Sequence, residues 1–331
     1  VARTQGSRGV STEDGTVFHS GELAIQERAG VRERIGATAP RFLRTFMPEQ
    51  HRELFRRLPT LLVGSIDADR RPWASILFGP PGFIQAPDPR HLTITGWPLA
   101  GDPLRDALQA GAPLGLLGIE PETRRRNRVN ATVVEVAEGR FTVAVDQSFG
   151  NCPQYIQART PRWVERAPST SGTQHNHGVL DPHAAALIER ADTFYIASAA
   201  AQARGSAGAQ GVDVSHRGGK PGFVRVEYEP RGAVLLAPDF RGNFLFNTLG
   251  NIAANPRAGL LFIDYDRGDL LQITGTAEIL WEGAEVQAFA GAQRVLRVQV
   301  TGSRWFEAAL PLRWSASLPA PQLAATGSWN R

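Results

Sequence analysis

Three short stretches in the first half of the chain recur, in the same order, in the second. Thr60-Leu-Leu-Val-Gly-Ser65 is answered by Thr193-Phe-Tyr-Ile-Ala-Ser198, 133 residues later. Gly79-Pro-Pro-Gly-Phe-Ile84 is answered by Gly219-Lys-Pro-Gly-Phe-Val224, 140 later, and Gly115-Leu-Leu117 by Gly259-Leu-Leu261, 144 later. One such coincidence is cheap, but three in one order predict an internal duplication. The growing offset is absorbed in the Ala/Gly/Gln loop 199–211 and in turns.

Within each copy the apolar runs are short and closely punctuated. Residues 60–65 and 72–78 are rich in β-branched and apolar side chains, and Asp67-Ala-Asp-Arg-Arg71 makes a polar turn between them. Gly79-Pro-Pro-Gly82 and Ala86-Pro-Asp-Pro89 turn the chain again around Phe83-Ile84. Strands at this rate predict an antiparallel barrel or sandwich rather than a βαβ sheet. Residues 114–119 and 128–136 read as two further strands and 102–110 as a short helix. Before the first copy, residues 16–57 read as helical, with Ser20 a candidate cap, and as a lid or packing arm without chemistry. The expected organisation is an N-terminal helical arm over 1–57, copy one with its following loop over 58–160, a linker over 161–190, copy two over 191–314, and a disordered tail over 315–331.

Composition narrows the function classes. Hydrophobic content of 42% and charged content of 21% suit a globular protein, and no run approaches the ~18 apolar residues of a membrane span. The polar start over residues 1–15 has no signal-peptide core, and one cysteine allows no intrachain disulfide, so a cytoplasmic location is expected. Of the 36 basic residues all but Lys220 are arginine, and only Arg124-Arg-Arg-Asn-Arg128 forms a cluster. A nucleic-acid surface needs a continuous basic face with interleaved aromatics, so none is expected. His175, His177 and His183 sit in a polar linker without carboxylate or thiol partners at ligand spacing, and no metal is expected.

The polar residues that carry chemistry concentrate in copy two. If Asp213-Val-Ser-His-Arg217 is a strand, alternation places Asp213, Ser215 and Arg217 on one face and His216 on the other. Arg217, Gly218, Gly219 and Lys220 then form a cationic, backbone-exposing corner suited to a phosphate. Asn247, Thr248 and Asn251 supply neutral donors at an expected helix start. Copy one has no cation in the matching place, and Asp102 there would repel a phosphate. If a phosphorylated cofactor binds, copy two should hold its phosphate, and copy one should face its ring with Trp73 and Ser75. Gln147, Ser148 and Asn151, in the loop after copy one that also carries Phe149 and Tyr155, have a composition that edges a planar heterocycle. Cys152 reads as a packed, inert thiol.

These segments resemble the flavin-nucleotide-binding proteins related to pyridoxamine 5'-phosphate oxidase. The matching stretches are 18–30, Pro72-Trp-Ala-Ser75, 118–130, 147–156, 213–223 and Phe246-Asn-Thr-Leu-Gly-Asn251. The resemblance implies a mainly β fold with flanking helices (α+β), namely a duplicated FMN-binding split β-barrel forming an intrachain pseudo-dimer, with FMN as cofactor. It leaves the substrate open.

The function expected is that of an FMN-dependent oxidoreductase. A hydride would pass between the flavin and a small-molecule substrate, with a nicotinamide or deazaflavin as electron donor. His216 is the candidate acid or base. The alternative is a flavin-binding module that stores or senses the cofactor without turnover. No membrane partner is expected, and a homodimer is compatible with the reading.

Overall fold

The computed structural model describes residues 17–150, 152–165, 174–176, 180–203 and 210–329. It opens with helices α1 (Ser20–Arg28), α2 (Arg32–Thr38) and α3 (Glu49–Arg57). The cap of α1 is His19 rather than Ser20. The His19 imidazole accepts the Gly21 N–H, and Glu22 reaches back to the His19 N–H at 3.0 Å, so two otherwise unbonded amides are satisfied reciprocally.

The first sheet comprises β1 (Thr60–Ile66), β2 (Pro72–Phe78), β3 (Ile84–Asp88), β4 (His91–Thr95), β5 (Pro113–Glu120), β6 (Arg125–Ala137) and β7 (Arg140–Gly150), with the short helix α4 (Leu104–Ala107) between β4 and β5. The β1–β2 turn forms because Asp67 accepts the N–H groups of Asp69 and Arg71, while Arg70 takes the left-handed conformation. The expected linker contains β8 (Pro161–Trp163), β9 (Gln174–Asn176) and helix α5 (Pro182–Arg190). Asp181 caps α5 by accepting the Ala184 N–H at 2.8 Å.

The second sheet comprises β10 (Thr193–Ala199), β11 (Val212–Gly218), β12 (Arg225–Glu229), β13 (Gly232–Asp239), β14 (Arg257–Ile263), β15 (Leu270–Leu280) and β16 (Arg294–Phe306). Helix α6 (Asn247–Ala254) lies before β14, α7 (Ala284–Gln287) before β16, and β17 (Leu312–Trp314) follows. Here β9 adds to β16, and β17 pairs with β8 as a separate ribbon.

The seven-strand paths run β2-β1-β5-β6-β7-β4-β3 and β11-β10-β14-β15-β16-β13-β12, the same order in each sheet, and every pairing is antiparallel. Register agrees as well: Leu62 pairs with Leu117 in the first, and Tyr195 with Leu261 in the second. A nine-residue helix precedes each first strand, α3 before β1 and α5 before β10.

Each sheet has its own core. Leu54 and Phe55 of α3 pack into the first with Leu61, Val63, Leu116 and Phe141. Leu187 and Ile188 of α5 pack into the second with Phe194, Ile196 and Phe262. A third core joins the sheets, with Leu62, Ile76 and Leu117 meeting Tyr195, Val214 and Leu261. Backbones touch at this junction. A Cβ on Gly115 would lie 2.6 Å from the Val212 carbonyl oxygen, and one on Gly259 would overlap the Pro72 carbonyl. β11 thus presses on β5 as β2 presses on β14, a reciprocal contact that a two-fold relation produces.

The expected disordered tail is ordered over 315–329. Leu323 is buried, the Trp329 ring stands edge-on to Phe289 at 5.1 Å, and its Nε1 donates to the Phe223 carbonyl. Its proline-rich composition concealed two anchors. Among the described residues no helix is long and apolar enough to cross a membrane.

Candidate functional site

A cleft opens where the start of β6 meets β11. One wall carries Arg126 and Arg128 of β6 with Cys152, Gln154 and Tyr155. The other carries Ser215, His216, Arg217 and Gly218 of β11, Asp239 and Phe240 at the end of β13, and Phe244 to Leu249 at the start of α6. Strand alternation explains both walls. Arg126 and Arg128 lie two residues apart on β6, and Ser215 and Arg217 two apart on β11. His216, between the latter, turns toward the inter-sheet core and stands edge-on to Tyr195, its pairing partner on β10.

Three guanidiniums meet two carboxylates here, Asp213 and Asp239, and they are incompletely satisfied. The Nε atoms of Arg126, Arg128 and Arg217 are buried without a partner, as is Nδ1 of His216. Burial and the neighbouring Arg128 and Arg217 bring Arg126 down to about 10, so it stays charged at neutral pH. Burial, then Arg126, Arg159 and Arg217, holds His216 well below its ordinary value, so its imidazole is neutral. Helix α6 ends on the cleft, and the first amides of a helix have no intrahelical acceptor. Phe244 and Phe246 hold φ of 61° there, a left-handed conformation that bulky residues rarely adopt and that concentrates at ligand sites.

Beneath the arginines lies a buried polar network. Arg128 bonds Asp213 at 3.2 Å, Asn247 Oδ1 at 3.0 Å and the Ser215 hydroxyl. Asp213 also accepts from Asn130 and Asn251, and Thr248 donates to Ser215. Glu22 of α1 enters from the N-terminal arm and accepts from Asn247. Burial, then the nearby Asp213, raises its carboxyl to about 8. The arm therefore packs against the cleft wall and supports it. Asp239 is gripped by Arg217 and by Arg294, whose Nε lies 2.9 Å away.

Of the residues singled out from the sequence, Ser215, His216, Arg217, Gly218, Asn247 and Thr248 line the cleft. Asn251 supports it from below through Asp213 and Ser198. Gly219 and Lys220 turn away: Gly219 accepts from Gln157, and Lys220 bonds the Thr326 carbonyl, held by the ordered tail. Gln147 and Ser148 are not in a loop but in β7, where Ser148 contacts His51 at 2.9 Å. Cys152, expected to be packed, is half-buried and lines the cleft, and Asn151 lies outside the described residues.

Trp73 and Ser75 are elsewhere, because β2 packs against β14 and β15. By register, Gln272 stands where Arg128 stands, Leu270 at the place of Arg126, and Leu77 at the place of Arg217. Gln272 donates to Ser75 and Asp102 at 3.0 Å each, and Ser75 donates to Asp102 at 2.6 Å. Burial raises Asp102 to about 6. Leu270 and Ile76 pack there with Phe306 and Leu310, so the matching place is filled by side chains.

The Arg124–Arg128 run is not a basic face. Arg124 bonds the Ile156 carbonyl, Arg125 the Gln50 carbonyl, and Arg126 and Arg128 point into the cleft. Arg126, Arg128, Asp239 and Phe240 to Phe246 were missed from sequence. Alternation gave no signal for the two arginines, since Arg125 to Arg128 are four consecutive polar residues at the start of β6.

Residues 180–304 match the family model of pyridoxamine 5'-phosphate oxidase. No curated protein matches the sequence. Among solved structures, HupZ of Group A Streptococcus is similar at 18% identity, covering 37% of this chain and 90% of that one, with a TM-score of 0.28. HutZ, the heme storage protein of Vibrio cholerae, is similar at 12% identity, covering 37% and 89%, with a TM-score of 0.24. An FAD-binding protein of Mesorhizobium loti is similar at 14% identity, covering 40% and 97%, with a TM-score of 0.24.

Proposed function

We propose that the chain, whose residues 180–304 match the family model of pyridoxamine 5'-phosphate oxidase, is an internally duplicated split barrel that binds one FMN in the β6–β11 cleft and acts as a flavin-dependent oxidoreductase. The observation that carries the reading is the set of buried Nε atoms on Arg126, Arg128 and Arg217, unpartnered at the mouth of α6. Burying a cationic donor without an acceptor is costly, and a phosphate oxygen is the acceptor such donors fit. The identical strand order and reciprocal glycine contacts support the duplication.

The roles divide along the cleft. Arg126, Arg128 and Arg217 would hold the phosphate with the α6 amides, while Asp239 and Asp213 fix the guanidiniums in place. Tyr155, Phe240, Phe244 and Phe246 supply apolar surface for the ring system. Bound flavin supplies reversible hydride transfer to a small-molecule substrate. His216 is neutral, and burial beside Arg126, Arg159 and Arg217 makes its imidazole a weak base, so it would serve as a hydrogen-bonding partner through its unpartnered Nδ1 rather than as the acid or base. A nicotinamide or reduced deazaflavin would be the electron donor, and a cytoplasmic location fits such donors.

The test is the absorbance spectrum of the purified chain with FMN, followed by anaerobic addition of NADH, NADPH or a reduced deazaflavin. A perturbed flavin band that bleaches supports an oxidoreductase. A perturbed band that no donor bleaches supports storage or sensing. An unperturbed spectrum rejects the site.

A further inference from the structure

The ribbon of β8 and β17 builds a second cavity, away from the cleft. In its register Leu312 pairs with Trp163 and Trp314 with Pro161, so these four side chains share one face. That face looks across at Leu58, Pro59 and Thr60 and at the turn Ile119-Glu-Pro-Glu122. The floor is closed: Leu312, Leu58 and Ile119 are buried. Trp163 is not, remaining 46% exposed at the cavity rim although it stands on the apolar face.

The opposite rim is acidic. Glu120 is already occupied, by Arg57 at 3.3 Å and by the Thr123 hydroxyl at 2.6 Å. Glu122 has no ion-pair partner among the described residues. Burial, then Glu120, raises its carboxyl above the ordinary value, as expected of a carboxylate lacking a cation. An open indole facing an unpaired carboxylate across proline walls matches one ligand chemistry. The indole face attracts a cation, the prolines cover its alkyl groups, and the carboxylate supplies the counter-charge.

We infer that the cavity between the β8–β17 ribbon and the Ile119–Glu122 turn is a second ligand site, which takes a small organic cation of the alkylated ammonium class on Trp163 and Glu122. The proposal is independent of the flavin cleft.

The experiment titrates the full chain with choline while indole N–H resonances are followed by NMR, the Trp163 resonance being identified by its loss in Trp163→Ala. The expected result is a saturable shift of that resonance and loss of saturable choline binding in Trp163→Ala. Glu122→Gln should weaken choline about five-fold, and the neutral isostere 3,3-dimethylbutan-1-ol should bind about five-fold more weakly than choline. Absence of a saturable shift overturns the site. Survival of choline binding in Trp163→Ala overturns it too, and equal binding of the neutral isostere overturns its cation specificity.

Discussion

Gln272 of β15 occupies in the second sheet the place that Arg128 of β6 occupies in the first. Each pairs across its ladder with an equivalent leucine, Leu261 and Leu117. Arg128 faces a cleft with an Nε to spare, whereas Gln272 donates to Ser75, Asp102 and the Ala74 carbonyl within a filled interior. Of these two register-equivalent places, only the first leaves a guanidinium donor without a partner.

The first prediction is therefore a stoichiometry. Titration should saturate at one FMN per chain. Saturation at two would mean that the apolar packing of Leu270, Ile76 and Phe306 opens to ligand.

A second prediction concerns pH. Glu22 has its carboxyl raised to about 8 in the folded state, against an ordinary value of 4.5. Between those values the native chain holds a proton that the unfolded chain has released. Stability should fall as pH rises from about 4.5 to 8 and level off above. Glu22→Gln should remove this term, so its Tm should decline less than that of the wild type between pH 5 and pH 8. Parallel declines would show that Glu22 is not the titrating group.

The sheet junction supplies a third. Gly259→Ala places a methyl on the Pro72 carbonyl, a backbone atom with nowhere to go. Overpacking of this sort costs about 1–3 kcal/mol. Gly36→Ala in α2 meets nothing within 4 Å and should be neutral or stabilising by about 0.5–1 kcal/mol. Denaturant midpoints compare the two, and a Gly259→Ala midpoint at or above that of Gly36→Ala would contradict the close approach.

Much of this was legible in the sequence because local patterning encodes it. The strands over 60–65, 72–78 and 114–119 follow from apolar runs and turn chemistry, and alternation on β11 placed Ser215 and Arg217 together. The other wall was not legible, because contact between β6 and β11 is set by how two sheets dock, which leaves no local signal. Arg126 and Arg128 sit in a run of arginines that reads as solvated surface. Trp73 and Ser75 occupy the matching strand of copy one, and nothing in their own neighbourhood reveals that Gln272 and Leu270 fill the space before them. Lys220 sits beside Arg217 in sequence, yet the turn after β11 carries it toward Thr326.

The most direct test compares FMN with riboflavin, which lacks the phosphate, on the wild type, Arg126→Ala and Arg217→Ala. A charge-assisted hydrogen bond contributes about 1.5–3 kcal/mol, so each variant should bind FMN roughly ten- to a hundred-fold more weakly. Riboflavin affinity should change far less, because it has no phosphate for these arginines to hold and its ring would lie against Tyr155, Phe240, Phe244 and Phe246. Equal losses for both ligands, or FMN affinity unchanged in both variants, would contradict phosphate recognition by these arginines.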